Sequence, residues 1–241
     1  MNNILLQTRM ITKAYPTVTA LAGVSVSIPQ GQHVAIMGPS ASGKSTLLNC
    51  MAGILTPNSG DVIFDGKVIS ALSDKQRTLL RRQSFGFVFQ DGQLVPELPS
   101  RENVALPLLM EGKSRSQALN MADGWLVRLG LHEALHRRPG ELSGGQVQRV
   151  AVARALIHQP DVIFADEPTG ALDQTTGHEL MSILTATARQ TGATLLLVTH
   201  DITVAKWCER LIEIRDGLLH SDRMLAHDTD PGMARSEGQS R

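Results

Sequence analysis

The chain has 241 residues, 42% of them hydrophobic, 19% charged and 3% aromatic, which supports one substantial buried core with an attached subdomain and excludes disorder throughout. Its 23 basic and 23 acidic side chains cancel, so no global field holds nucleic acid or anionic lipid, and a DNA-coating role is disfavoured. The best apolar runs, Val104 to Met110 and Thr194 to Val198, fall short of the ~18 to 20 residues that cross a bilayer, and Met1 to Met10 lacks the pattern of a secretory signal, so a cytoplasmic protein is expected.

Leu5 to Lys13 and Leu21 to Ile28 alternate in polarity around a Tyr15-Pro16 turn, which predicts two antiparallel strands at a sheet edge. Val34 to Met37 is a short apolar strand running into Gly38, and a helix from about Gly43 to Met51 follows. Turn signals at Asn58-Ser59-Gly60 and Asp65-Gly66 bracket a strand at Val62 to Phe64, and Ser84 to Phe89 is a further apolar run. Between about Arg101 and Leu135 the periodicity is helical, broken by Pro107 and Gly112, so residues 91–143 read as a helical subdomain inserted into an α/β core formed by 1–90 and 144–220. From Gly144 the order is helix (about 145–158), strand (Val162 to Asp166), helix (about 174–190), strand (Thr194 to Thr199), helix (about 202–208) and strand (Leu211 to Arg215). Such alternation implies a parallel sheet covered on both faces. Residues 221–241 are rich in Asp, Ser, Gly and Arg without an apolar face, which predicts a flexible tail. Cys50 and Cys208 lie far apart and indicate neither a disulfide framework nor a zinc site; both read as ordinary semi-buried thiols.

The chemistry is concentrated in a few segments. Gly38-Pro39-Ser40-Ala41-Ser42-Gly43-Lys44-Ser45 satisfies G-x-x-x-x-G-K-[ST] after an apolar strand and at the start of a helix, with Thr46 next in the first helical turn. Glycines there let backbone N–H groups curl around a β-phosphate while the helix terminus adds partial positive charge. Lys44 is suited to β- and γ-oxygens, and the Ser45 hydroxyl to a Mg2+ shell. Val162 to Asp166 is an apolar strand whose end carries Asp166, suited to Mg2+, and then Glu167, suited to orienting and deprotonating an attacking water. Leu142-Ser143-Gly144-Gly145-Gln146 precedes a helix, with Ser143 as N-cap; alone it reads as a simple capped turn, and beside a phosphate loop as a second anion-binding terminus that serves another copy of the chain.

This ordered set resembles the ATP-binding cassette (ABC) ATPases over about 220 of the 241 residues. The resemblance implies a P-loop NTPase (RecA-like) core with an N-terminal antiparallel β subdomain and an inserted α-helical subdomain. It implies that Gly38 to Ser45 is the Walker A loop, Gln90 the Q-loop glutamine that senses Mg2+ or water, and Leu142 to Gln146 the signature. Val162 to Glu167 becomes the Walker B strand with its catalytic acid, Asp173 the D-loop aspartate, His200 the switch histidine and Tyr15 the aromatic that stacks on adenine. Catalytic roles thus fall to Glu167, His200, Lys44 and Gln90, and metal ligation to Ser45, Gln90 and Asp166. Gly170 departs from the serine many members carry there, which is expected to loosen the dimer contact.

The implied ligands are ATP and Mg2+; the implied partners are a second copy of this chain, in a head-to-tail dimer around two ATP molecules, and integral membrane permease subunits, with no nucleic acid. Glu102 to Leu109 and Ala165 to Gly170 are similar to the subgroup of macrolide-exporter, lipoprotein-release, haem-exporter and cell-division ATPases. The resemblance therefore implies an ATPase at the cytoplasmic face of the plasma (inner) membrane that drives a permease, as an exporter or extractor. The alternative is a regulatory mechanoenzyme that signals across the membrane to an external hydrolase and transports nothing. A soluble ABC ATPase of DNA repair or translation is disfavoured, because long coiled-coil insertions or tandem cassettes do not fit this length.

Overall fold

The structure is a computed structural model in which residues 3–225 are described. Two long strands, β1 (Ile4–Tyr15) and β2 (Val18–Pro29), open the chain, and β3 (His33–Met37) leads into α1 (Lys44–Met51). Then come β4 (Ser59–Phe64), β5 (Lys67–Val68), α2 (Asp74–Ser84) and β6 (Phe85–Phe89). Three helices follow, α3 (Ser100–Met110), α4 (Arg115–Arg128) and α5 (Gly144–Leu156). The chain continues as β7 (Val162–Asp166), α6 (Gln174–Thr191), β8 (Thr194–Val198), α7 (Ile202–Ala205), β9 (Arg210–Arg215) and β10 (Leu218–Met224).

These strands make two sheets, an antiparallel one in the order β2-β1-β4-β5 and a six-stranded one in the order β10-β9-β3-β8-β7-β6. In the second, β3, β6, β7, β8 and β9 run parallel and β10 closes the edge antiparallel to β9. Alternate residues of one strand feed different cores, as the two-residue period of a strand requires. Val162 and Phe164 join α1 (Leu47, Leu48, Met51) and the antiparallel sheet (Leu6, Ile28, Val62) on one face. Ile163 and Ala165 join α5 (Val150, Ala153) and α6 (Leu180, Leu184) on the other. Burial on both faces explains why β7 and β8 are unbroken apolar runs.

Between β6 and α5, helices α3 and α4 pair through Val104, Ala105 and Leu108 against Ala118, Ala122 and Leu126, in a core continuous with α5. Arg101 reaches across with two bonds to the Asp123 carboxylate, at 2.9 and 2.5 Å. Pro107 does not break this region: α3 runs through it and ends at Met110, two residues before Gly112, whose φ is 91°. The expected helix over about 202–208 is shorter, with α7 ending at Ala205 and capped by Asp201, whose carboxylate accepts from Thr203 N at 2.7 Å.

Three elements lie outside the sequence-based reading, the first being the two-residue strand β5, whose residues are exposed. Helix α2 buries no residue, so its polar sequence has no apolar stripe, although Ser73 and Gln76 form a capping box at its start. Strand β10 is an edge strand with an exposed pattern and carries no alternation to detect. It runs through 221–224, so the tail expected to begin after His220 starts inside a strand paired with β9; residues 226–241 of that tail lie outside the described residues. Cys50 and Cys208 are fully rather than partly buried, and burial pushes their thiols up to about 11 and about 12.

Candidate functional site

The register of the parallel sheet assembles the site. Phe89 pairs with Asp166, Asp166 with Val198, and Ile36 with Val198, so four neighbouring strands end at one level. The residues just past β6, β7, β8 and β3 are Gln90, Glu167, Thr199 and Gly38, with His200 one step further. Two backbone bonds extend the ladder beyond the strands, Glu167 N to Val198 O at 2.9 Å and Thr199 N to Ile36 O at 3.2 Å. Carboxyl ends of parallel strands are where open α/β sheets hold ligands.

The loop from Gly38 to Gly43 is held by close backbone packing. A Cβ at Gly38, whose φ is 152°, would lie 2.0 Å from Ile214 O, and one at Gly43, whose φ is 103°, would lie 2.2 Å from Ala20 O. Gly43 is the N-cap of α1 and no side chain caps that helix, so its leading N–H groups face the loop interior. Lys44 Nζ donates to Pro39 O at 2.7 Å and so lies over its own loop. Ser42 is buried, whereas Pro39, Ser40, Ala41 and Ser45 are exposed and Thr46 is half-buried. The Ser45 hydroxyl donates to Asp166 Oδ1 at 3.3 Å, which joins the loop to the end of β7. Burial raises the Asp166 carboxyl above its ordinary range; the Ser45 bond lowers it, Glu167 raises it and Lys44 lowers it, in decreasing order.

Glu167 turns out of β7 with a left-handed φ of 48°, an uncommon conformation for a residue with a side chain. Its Oε1 lies 2.9 Å from His200 Nδ1, so the β7–β8 pairing brings together two residues 33 positions apart. Tyr15 ends β1 with 42% of its surface exposed, and Lys13 Nζ lies 5.8 Å from its ring centre. It belongs to the hairpin whose Ala20 carbonyl presses on Gly43.

The Ser143 corner is separate from this line. Ser143 caps α5 in a reciprocal box with Gln146, accepting from Gln146 N at 3.3 Å while its own N–H donates to Gln146 Oε1 at 3.0 Å. Gly144 and Gly145 pack toward Leu172 and Thr176, and no hydrogen bond among the described residues joins this corner to residues 38–46. Asp173 caps α6, accepting from Thr176 N at 3.0 Å and from the Thr176 hydroxyl at 2.6 Å, bonds that hold its carboxyl below the ordinary range. Gly170 lies against the Gln90 side chain: a Cβ there would be 3.0 Å from Gln90 Nε2.

Two polar residues of α5 that no motif marks also reach the site. Gln148 Nε2 donates to the carbonyls of Phe89, at 3.0 Å, and Gln90, and Arg154 donates to those of Gly92 and Gln93. The available sequence signal was a glutamine on the stripe Gln148, Ala151, Val152, Ala155, otherwise apolar and buried.

Comparison with known proteins agrees with this architecture. The family model described as ABC transporter matches residues 21–170. Macrolide export ATP-binding/permease protein MacB of Pectobacterium atrosepticum is 46% identical over 216 residues, covering 90% of this chain and 33% of that protein. The protein of the same name from Marinobacter nauticus is also 46% identical, over 89% of this chain and 33% of its own length. The chain thus spans about a third of the length of these curated relatives. Among solved structures, the dimeric post-hydrolysis state of the ATP-binding cassette MJ0796 bound to ADP and Pi superposes with a TM-score of 0.87 at 39% identity, covering 92% of this chain and 99% of that one. CbiO1 of Clostridium perfringens, part of the ABC transporter complex cbiONQ, gives 0.82 at 31% identity, covering 91% and 88%. With its glycine-rich loop before α1, its paired strand-end acids and a matching cassette fold over nearly its whole described length, the chain belongs to the ABC transporter family and is an ATPase domain of that family.

Proposed function

We propose that this domain hydrolyses ATP to drive an integral membrane permease in an export or extraction machine, working at the cytoplasmic face of the membrane as a head-to-tail dimer around two ATP molecules. The observation that carries the hydrolytic reading is the Glu167–His200 pair, 2.9 Å apart, on strand ends level with the phosphate loop. Backbone N–H groups from Gly38 to Thr46 hold the phosphates, Lys44 turns from its own loop to β- and γ-oxygens, and Tyr15 offers an open ring face to adenine.

The donors fit Mg2+, a hard cation that takes oxygen ligands. Ser45 supplies a hydroxyl and Asp166 a carboxylate within 3.3 Å of each other, Gln90 adds an amide oxygen from the end of the strand next to that of Asp166, and a cation relieves the burial that raises Asp166. Bound there, Mg2+ supplies positive charge to the phosphate oxygens. His200 holds Glu167 Oε1, which leaves Oε2 to take a proton from water. The water oxygen bonds to the γ-phosphorus as the bond to the β–γ bridging oxygen breaks, and ADP leaves with the electron pair. The other ring nitrogen of His200, Nε2, is left for a γ-phosphate oxygen.

The Ser143 corner, apart from the chain's own phosphate loop, is assigned to the γ-phosphate held by the second copy, and Asp173 to the contact between copies. The dimeric relative supports this arrangement. An apolar groove of about 360 Å3, lined by Ile54, Phe85, Phe87, Phe89, Pro107 and Met110, adjoins Gln90 and suits an apolar segment of the permease. The macrolide-export relatives favour export over import.

Glu167→Gln tests the reading, because it keeps the shape and removes the base. ATP turnover is expected to fall at least ~100-fold while ATP binding persists and the closed dimer becomes easier to trap. Near-normal turnover rejects Glu167 as the base.

A further inference from the structure

We infer that Gln148 and Arg154 on α5 are positioning residues for hydrolysis, fixing the turn that carries Gln90 to the helix that Ser143 caps. The inference rests on the proposed roles of Gln90 and Glu167. After β6 the chain turns sharply, with Gly92 N donating to Phe89 O at 3.0 Å and left-handed backbone at Gly92 and Gln93, at φ 70° and 44°. Four carbonyls of this short turn are held by α5. Gln148 Nε2 donates to Phe89 O at 3.0 Å and to Gln90 O, and Arg154 Nη2 and Nη1 donate to Gly92 O and Gln93 O, each at 2.7 Å. The turn also lies flat on the helix, since a Cβ at Gly92 would be 2.7 Å from Val147 Cγ1.

Packing alone does not account for these two side chains. Gln148 is 2% exposed and its Oε1 has no partner among the described residues, and burial lowers the pKa of Arg154. Both costs would vanish with apolar residues on a face that already carries Ala151, Val152 and Ala155. What the polar pair adds is a fixed relation between two distant parts of the proposed machine. Gln90 is pinned through its carbonyl to α5, while its side chain lies against Gly170 beside Glu167. Arg154 also lines the apolar groove, so a segment seated there presses on the guanidinium that holds Gly92 and Gln93.

The test uses the full chain with Mg2+ and ATP. Gln148→Leu removes the two donors together with the unpartnered Oε1, which limits the cost to folding, and Arg154→Lys keeps charge and stem but lacks the two-pronged fork. Each is expected to lower kcat ~10-fold or more while KM for ATP stays within about twofold. Amide exchange over residues 89–94 should quicken, with exchange in α1 unchanged. A kcat within about twofold of the parent in both variants, or exchange quickening equally in α1 and the turn, overturns the inference. Glu167→Gln separates the two readings. If it retains turnover, the hydrolytic assignment itself fails; if it is inactive while both α5 variants keep full kcat, the positioning role alone fails.

Discussion

Two helices of this protein begin at glycine-marked corners, and the corners are built in opposite ways. At α1 the cap is Gly43, left-handed and without a capping side chain, and the loop before it is so tightly enclosed that a Cβ at Gly38 or Gly43 would strike a backbone oxygen. At α5 the cap is Ser143, exposed and locked to Gln146 by a reciprocal pair of bonds. The first corner leaves its donors for a ligand by using a residue with no side chain. The second satisfies part of its own terminus and remains a stable, outward-facing edge. One corner is therefore left open at the helix end, while the other is already capped from within the chain, which suits the proposed role of a surface offered to a second copy.

The sharpest way to break this contrast is Gly43→Ala. The added carbon would lie 2.2 Å from Ala20 O at a φ of 103°, so both strain and overlap oppose it. A loss of about 3 kcal/mol is expected by urea unfolding, with ATP binding lost by calorimetry. An unchanged midpoint with ordinary binding would show that the loop is not enclosed as described. Ser143→Arg probes the other corner and should cost only about 1 kcal/mol through the lost cap. Nucleotide binding by the isolated chain is expected to survive, while light scattering in the Glu167→Gln background should show no closed dimer with ATP. Loss of binding in the single chain would overturn the assignment of Ser143 to a partner's nucleotide.

The same contrast governs what the sequence made legible. The first corner is written in consecutive residues, because curling a backbone around phosphate needs glycines at fixed spacing before a helix; Gly38 to Ser45 could be placed without coordinates. The strands were readable for a related reason, since burial on both faces forces unbroken apolar runs such as Val162 to Ala165. The geometry of the Glu167–His200 contact was not, because it depends on the parallel register of β7 and β8. Gln148 and Arg154 escaped notice because their partners are backbone carbonyls, which every residue has. Helix α2 and strand β10 carry no apolar stripe or alternation, so periodicity has nothing to report there. Gly170 was legible as a departure, but the Gln90 side chain that lies against it was not.

A smaller effect sharpens the electrostatic side of the comparison. Asp166, at the phosphate loop, has its carboxyl raised by burial, whereas Asp173, beside the Ser143 corner, has its own lowered by the Thr176 hydroxyl and N–H. A raised carboxyl contributes stability below its unfolded value and loses it as pH rises through the folded one. Ionised Asp166 therefore burdens the nucleotide-free fold at pH 7, and Asp166→Asn, neutral throughout, should melt higher there. The rise should be no more than about 2 °C because solvent screens a half-buried group, and it should close as pH falls toward ~4. Asp173→Asn should behave oppositely, melting lower at pH 7 with a deficit that shrinks as pH falls through the folded value of Asp173. Thermal scans from pH 7 to ~2 cover both windows and read both signs; equal signs would erase the electrostatic difference between the corners.

The smallest expected effect belongs to Gly170→Ser, between Glu167 and Asp173 and against the Gln90 side chain. Its added carbon would lie 3.0 Å from Gln90 Nε2, 3.1 Å from Cδ and 3.3 Å from Cγ, which is tight but meets the movable end of a flexible side chain. Gln90 can yield by a few tenths of an ångström, so stability should change by no more than about 0.5 kcal/mol. The displaced residue is the one proposed to hold Mg2+ and water, so kcat should fall about two- to fivefold while KM for ATP stays put. A change in KM with kcat intact would tie Gly170 to the nucleotide-binding loop instead. An unchanged kcat would mean that Gln90 moves aside without consequence, and that glycine at this position serves the contact between copies rather than the water.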